Sequence, residues 1–136
     1  MFENINEIAV LVSAILSMAI GSVWYSPLLF GNHWMKAAGL TEEDIENAKG
    51  KMLKLFAIAM IVNIFLVYIL AQFVALSQMG DVSIRVIATL LISFLAAIMS
   101  GAVIWEQRPL SYLLINIGYA AVIVFGGMTV LWYWPW

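Results

Sequence analysis

The chain has 136 residues, of which 65% are hydrophobic and 10% charged, and a net charge of −2, whereas an ordinary soluble domain is roughly 25% charged. So short a chain cannot bury this much apolar surface in a water-soluble core, and without a basic patch it is poorly suited to nucleic acid. With no cysteine, disulfides, thiolate chemistry and Cys-based metal sites are excluded, and the redox compartment is left open.

The opening Met-Phe-Glu-Asn-Ile-Asn-Glu lacks a basic leader, and no small-residue cleavage pattern ends the apolar stretch that follows, so that stretch is expected to be retained. Four apolar stretches run from about Ile8 to Tyr25, Leu53 to Leu76, Ile84 to Trp105 and Leu110 to Trp134, with no Asp, Glu, Lys or Arg in the central half of any. At ~1.5 Å rise per residue, each is long enough as a helix to cross a ~30 Å hydrocarbon core. Runs such as 56–62 and 86–92 do not alternate in polarity as barrel strands must, so helices are predicted.

Trp24-Tyr25-Ser26-Pro27 closes the first stretch, since Trp and Tyr favour the headgroup layer and Pro27 biases Ser26 away from helix. Residues 28–40 mix Leu, Phe and Trp with Asn32, His33 and Lys36 between Gly31 and Gly39, the pattern of a segment lying in the membrane interface. Thr41 is placed to cap a helix whose first turn is acidic. That helix is expected to run on through Lys49 and Lys51 into the second span.

The remaining joints are short. Residues 77–83 offer Gly80 for a turn and Asp81 or Ser83 as caps, and Trp105-Glu-Gln-Arg-Pro offers Pro109 for a first helical turn. Tight joints make consecutive spans antiparallel neighbours. The expected fold is an all-α integral membrane four-helix up-down-up-down bundle, a single transmembrane domain over 1–136 with an interfacial and cytoplasmic segment at 26–52.

Lys36, Lys49, Lys51, Lys54 and Arg108 fall at the first and third joints and only Arg85 at the other side. The positive-inside rule therefore puts those joints in the cytoplasm and both termini outside, in a multi-pass protein of the cell (plasma) membrane. Gly21-Ser-Val-Trp24 with Pro27-Leu28 echoes Gly101-Ala-Val-Ile-Trp105 with Pro109-Leu110. A parallel repeat would produce this echo, but so would the ordinary frequency of Gly, Trp and Pro at membrane boundaries.

The segment from Gly21 to Trp34, with Trp24, Tyr25, Pro27, Phe30 and Gly31, followed by Gly39 to Glu43, resembles the opening signature of a family of small bacterial and archaeal four-helix membrane proteins classed as a domain of unknown function. Glu106-Gln-Arg108-Pro-Leu110, then Leu114-Ile-Asn116-Ile-Gly-Tyr119, resembles its second signature. In that family the Gly-Tyr pair is often followed by His, where this chain has Ala120, so no role for that His carries over. The resemblance implies a fold and a location and brings no activity.

His33, the single histidine, lacks the neighbours of a metal ligand, no Ser-His-Asp set can be assembled, and no phosphate loop is present. The expected protein is not an enzyme and takes no cofactor or metal. Glu106 and Arg108 read either as an acid and cation pair for a ligand or as joint residues that cap helix ends. Asn63, Ser13, Ser17 and Ser93 fall at similar depth, ~16 Å for Asn63 at the helical rise, and could meet in one layer, serving interhelical hydrogen bonds or a water path. Ser13, Ser17 and Gly21 on the first span, and Ser93, Ala97 and Gly101 on the third, are spaced by four, which predicts that these faces touch. A homodimer or higher homo-oligomer through one such face is the alternative.

Two functions follow from these residues. The first is a non-enzymatic structural bundle that engages membrane lipid or a partner through the aromatic segment and the Glu106/Arg108 joint. The second is a small oligomeric transporter or channel, disfavoured because proton-coupled exporters bury a carboxylate within a span and this chain has none there.

Overall fold

The computed structural model describes residues 5–80 and 82–134. They form helices α1 (Glu7–Trp24), α2 (Gly31–Ala38), α3 (Glu42–Lys49), α4 (Met52–Met79), α5 (Ile84–Met99), α6 (Gly101–Ile104) and α7 (Leu110–Tyr133). No strand occurs among the described residues. α1, α4, the α5 to α6 run and α7 are each long and apolar enough to cross a bilayer. The chain is therefore an all-α, multi-pass membrane protein.

Local chemistry sets the helix ends. The Asn6 carboxamide oxygen accepts the backbone N–H groups of Ile8 and Ala9 at 3.0 and 3.1 Å, meeting two of the donors that a helix start leaves open. Thr41 and Asp44 form a reciprocal capping box at α3. Ser83 caps α5 through the Arg85 N–H, whereas the alternative cap, Asp81, lies outside the described residues. Pro109 stands at the N-cap of α7 with ψ 152°, just before the first turn and not in it. At Ser100 the third span is irregular but unbroken in its bonding, since the Ser100 N–H still reaches Ala96 O at 2.9 Å and the Trp105 N–H reaches Gly101 O at 2.8 Å.

The continuous helix expected from α3 into the second span is not formed. α3 stops at Gly50, where the Lys51 N–H turns back to Ala48 O at 2.9 Å. Glycine gains least from helix and costs about 1 kcal/mol there relative to Ala, so an exposed junction is the cheap place to break.

α7 is the central element: α1, α4, α5 and α2 all pack on it, and α1 and α5 each also lie against α4. The buried cluster comprises Ala9, Val10 and Ala14 of α1, Val67, Leu70, Ala71 and Val74 of α4, Ile87 and Ala88 of α5, and Val124, Met128 and Leu131 of α7. These residues come from the first half of α1 and α5 and the second half of α4 and α7. The spans therefore knit at one end of the bundle, while residues 51–59 at the start of α4 are all exposed from the protein.

This arrangement overturns the expected contact between spans one and three. α1 packs on α4 and α7 and has no substantial interface with α5. α5 turns inward a stripe of Ile87, Ala88, Leu91 and Ile92, leaving Ser93 and Ala97 exposed. Ser93 consequently does not join Ser13 and Ser17, which are buried; Asn63 is half-buried on α4. Bulky aliphatic side chains give α5 more dispersion contact than its small-residue stripe does. Gly101 is likewise no packing glycine, because a Cβ there would approach nothing closer than Trp105 at 3.8 Å.

Ser13 and Ser17 line a cavity of about 110 Å³ with Ile123, Gly126 and Gly127 of α7. The Ser13 hydroxyl is buried there without a partner among the described residues. A Cβ on Gly126 would meet nothing within 4 Å. Gly126→Ala should therefore raise thermal stability in detergent, by ~0.5–1 kcal/mol from helix conformational entropy. Gly101→Ala should be tolerated, while Gly21→Leu should lower stability, because a Cβ at Gly21 already lies 3.0 Å from the Tyr119 hydroxyl.

A second prediction concerns α3, which lies outside the membrane spans. The backbone N–H and the hydroxyl of Thr41 both donate to the Asp44 carboxylate, at 2.8 and 2.7 Å, and hold its pKa below the ordinary carboxylate value. Because the folded-state pKa is lowered, the cap contributes fully above the unfolded-state pKa and is lost as pH falls through the folded value. Thr41→Val removes only the smaller of the two causes, so an NMR titration should find the Asp44 pKa raised part of the way; no change would deny the capping box.

Candidate functional site

The carboxyl end of α1, the turn after it, α2 and the start of α7 converge on one aromatic cluster. Ser26 organises the turn. Its N–H and hydroxyl donate to Val23 O, its hydroxyl accepts the Leu28 N–H at 3.3 Å, and its carbonyl accepts the N–H groups of Leu29 and Gly31 at 3.1 and 2.9 Å. The Phe30 N–H returns to Trp24 O at 3.0 Å, closing the reversal. Gly31 is required by the closeness of this turn: a Cβ there would lie 2.7 Å from the Ser26 carbonyl carbon and oxygen, backbone atoms that cannot yield. Pro27 sits exposed at the outside of the bend.

The reversal brings Trp24 and Tyr25 against α7. The Trp24 indole N–H donates to Ile115 O at 3.2 Å, and the Tyr25 hydroxyl donates to the Asn116 carboxamide oxygen at 2.8 Å. Asn116 in turn donates to Tyr112 O at 2.8 Å. Tyr25 meets Tyr119 and Trp34 edge-on at centroid distances of 5.2 and 5.3 Å, and Trp24 lies 4.6 Å from Phe30. These edge geometries set the positive rim of one ring against the negative face of the next. Trp24 fits only because Gly118 lacks a side chain, since a Cβ at Gly118 would be 3.0 Å from the indole. The Trp34 indole N–H is buried with no partner among the described residues.

The third joint closes the cluster from below. α2 ends at Gly39 with φ +69°, a left-handed conformation that favours glycine. The Arg108 guanidinium donates to Ala38 O at that helix end, where a cation also meets the negative end of the helix dipole. Arg108 lies 6.0 Å from the Tyr112 ring centre and 3.7 Å from the Glu106 carboxylate. Glu106 is mostly exposed, so that ion pair contributes little, ~0–1 kcal/mol for a surface pair. Arg108 thus acts mainly as a strut between the third joint and α2. Gln107 takes φ 56° to turn the chain, and its carboxamide donates to Ile104 O at 3.0 Å.

Trp24, Tyr25, Phe30, Gly31, Trp34, Arg108, Asn116 and Tyr119 are thereby brought together, across 91 residues of sequence for the two α1 to α7 hydrogen bonds. Pro27 and Glu106 stay at the rim. Asn63, Ser13, Ser17 and Ser93 belong to other parts of the spans, and Asn63 makes no hydrogen bond among the described residues. Three participants were not singled out as site residues: Tyr112, through its carbonyl and ring; and, within the second signature but with no role given to them, Gly118, as the seat of Trp24, and Gln107, which turns the chain. Only the four-residue spacing of Tyr112 and Asn116 hinted at the first. His33 is exposed on α2, and no group of three or more His, Asp or Glu side chains is placed to hold a metal ion among the described residues.

The Tyr25 to Asn116 bond can be weighed by a double-mutant cycle in a denaturing-detergent titration. Tyr25→Phe should cost about 0.6 kcal/mol, the usual worth of an interhelical hydrogen bond in a membrane. Added to Asn116→Leu it should cost almost nothing further. Strict additivity would mean that the bond contributes no stability. Gly118→Val should cost more than Tyr25→Phe, because it expels Trp24 from its seat.

A comparison with curated proteins finds no match, and neither does one with solved structures. The profile of the family DUF1761, described as a protein of unknown function, matches residues 8–132. That match takes in all four spans, the α2 turn and the aromatic cluster, and the chain belongs to this family.

Proposed function

We propose that this protein is a non-enzymatic structural bundle of the plasma membrane that engages lipid at the cytoplasmic face through α2 and the turn before it. The observation that carries this reading is the fixed presentation of α2: its buried residues Gly31 and Ala37 face the bundle, and Asn32, His33 and Lys36 face outward. In the turn before it Leu28 is 87% exposed, and at the third joint Trp105 is 85% exposed. Apolar side chains beside a polar helix face match the boundary between acyl chains and headgroups. Lys36, Lys49, Lys51, Lys54 and Arg108 share this end of the chain's topology. Each adds ~1 kcal/mol of attraction to an anionic leaflet, and together they favour alternating spans with both termini outside.

The absence of cysteine makes the test direct, because a single introduced thiol is unique. Leu28→Cys carrying a spin label in vesicles should be accessible to oxygen, and His33→Cys to a polar nickel reagent. An impermeant thiol reagent should reach His33→Cys from the cytoplasmic side alone. Equal polar-reagent access at both positions would overturn the interfacial reading. Purified protein in liposomes should pass no ions or small cations; a flux that Asn63→Leu abolished would favour a transporter instead.

A further inference from the structure

At the opposite end of the bundle, a groove of about 530 Å³ opens between α5 and α7. Its floor is apolar, formed by Ala88, Phe125 and Met128, and its rim carries Arg85, Trp132 and Tyr133. Ala88 and Met128 are themselves buried, so the groove is a recess in the packed region of the spans and not a gap at a frayed end. Arg85 is exposed in the first turn of α5, and every other Lys or Arg lies at the far end, on the first and third joints or in the first turn of α4. The cation is therefore placed singly, beside two aromatic side chains of the kind that sit at headgroup level, with an apolar trough running inward from them.

We propose that this groove holds an anionic phospholipid, its phosphate at the Arg85 guanidinium and one acyl chain along Ala88, Phe125 and Met128. The order of chemistry along the groove, cation then aromatic rim then hydrocarbon floor, follows the order along a lipid from headgroup to tail. A guanidinium offers up to five N–H donors in a planar fork that suits phosphate oxygens. A soluble anion would find the cation but have no use for the trough. A neutral lipid would fill the trough and gain less at the rim. The site is independent of the α2 surface, which lies at the other end of the molecule.

Native mass spectrometry of the full chain, extracted from vesicles of equal phosphatidylglycerol and phosphatidylcholine, tests the site. Phosphatidylglycerol should be retained about fivefold over phosphatidylcholine, the ratio equivalent to ~1 kcal/mol for one cation at an anionic headgroup. Arg85→Gln should abolish the preference, and Arg85→Lys should keep most of it. Thr129→Trp, which fills the mouth of the groove from an exposed position, should reduce retention of both lipids. Asn47→Ala, at an exposed position of α3 at the far end, should change nothing. Glycerol phosphate, which has the headgroup chemistry without the chain, should not bind. Equal retention of the two lipids, or an unaltered preference in Arg85→Gln, would overturn the proposal. So would binding of glycerol phosphate as tight as that of the lipid.

Discussion

Two hydrogen bonds between the end of α1 and the start of α7, from Trp24 to Ile115 and from Tyr25 to Asn116, are the constraint on which the aromatic end of this molecule depends. Within a bilayer, lipid tails are as apolar as the side chains they touch, so helices gain little by leaving lipid for one another. Directional bonds and close dispersion contacts must supply the specificity that hydrophobic burial supplies in water. Trp24 and Tyr25 provide both, each placing an apolar ring in a packed site and a polar hydrogen on a carbonyl of another helix.

The two ends of the bundle solve the packing problem by different chemistry. Where the first halves of α1 and α5 meet the second halves of α4 and α7, the contact residues are Ala, Val, Leu, Ile and Met. Here the helices touch through aliphatic side chains fitted to their neighbours. At the other end the amino-terminal part of α4 stands clear, and α2 folds back on α7 beside the aromatic ends of α1. The aromatic rings tolerate a wetter, more polar boundary than aliphatic side chains do, because each also offers an edge or a hydrogen for bonding.

The spans were legible because membrane physics writes them plainly: about twenty apolar residues, no central charge, and polar joints with caps. Thr41 and Ser83 were legible as caps for the same local reason. The partnership of α1 with α7 was not, since small residues at spacing four mark a face without naming its neighbour. Ser93 and Gly101 satisfied that pattern and still face away from α1, because α5 has a second face, Ile87 to Ile92, with more to bury. The site was legible in part, through residues whose type is unusual for a span, such as Asn116 beside Tyr119. Gly118 stood in the second signature without a role and Tyr112 was not singled out, because their contribution is a missing side chain and a backbone oxygen, which composition does not distinguish.

The order of α2 is conditional on the rest. Eight residues are too few for a stable helix in isolation, and its N-cap position, Phe30, offers no side-chain cap. Its remaining supports come from elsewhere: Arg108 on the last-turn carbonyl, Tyr25 against Trp34, and the surface of α7. The first and the last of these depend on α1 and α7 keeping their register. A shift of α7 along α1 would therefore withdraw these two supports together and leave α2 held only through the turn and Tyr25. Linkage makes the coupling reciprocal: whatever holds α2 at the surface also favours the register in which Tyr25 reaches Asn116. A contact made by α2 is thus tied energetically to the packing of spans one and four, with the aromatic cluster as the physical connection between them.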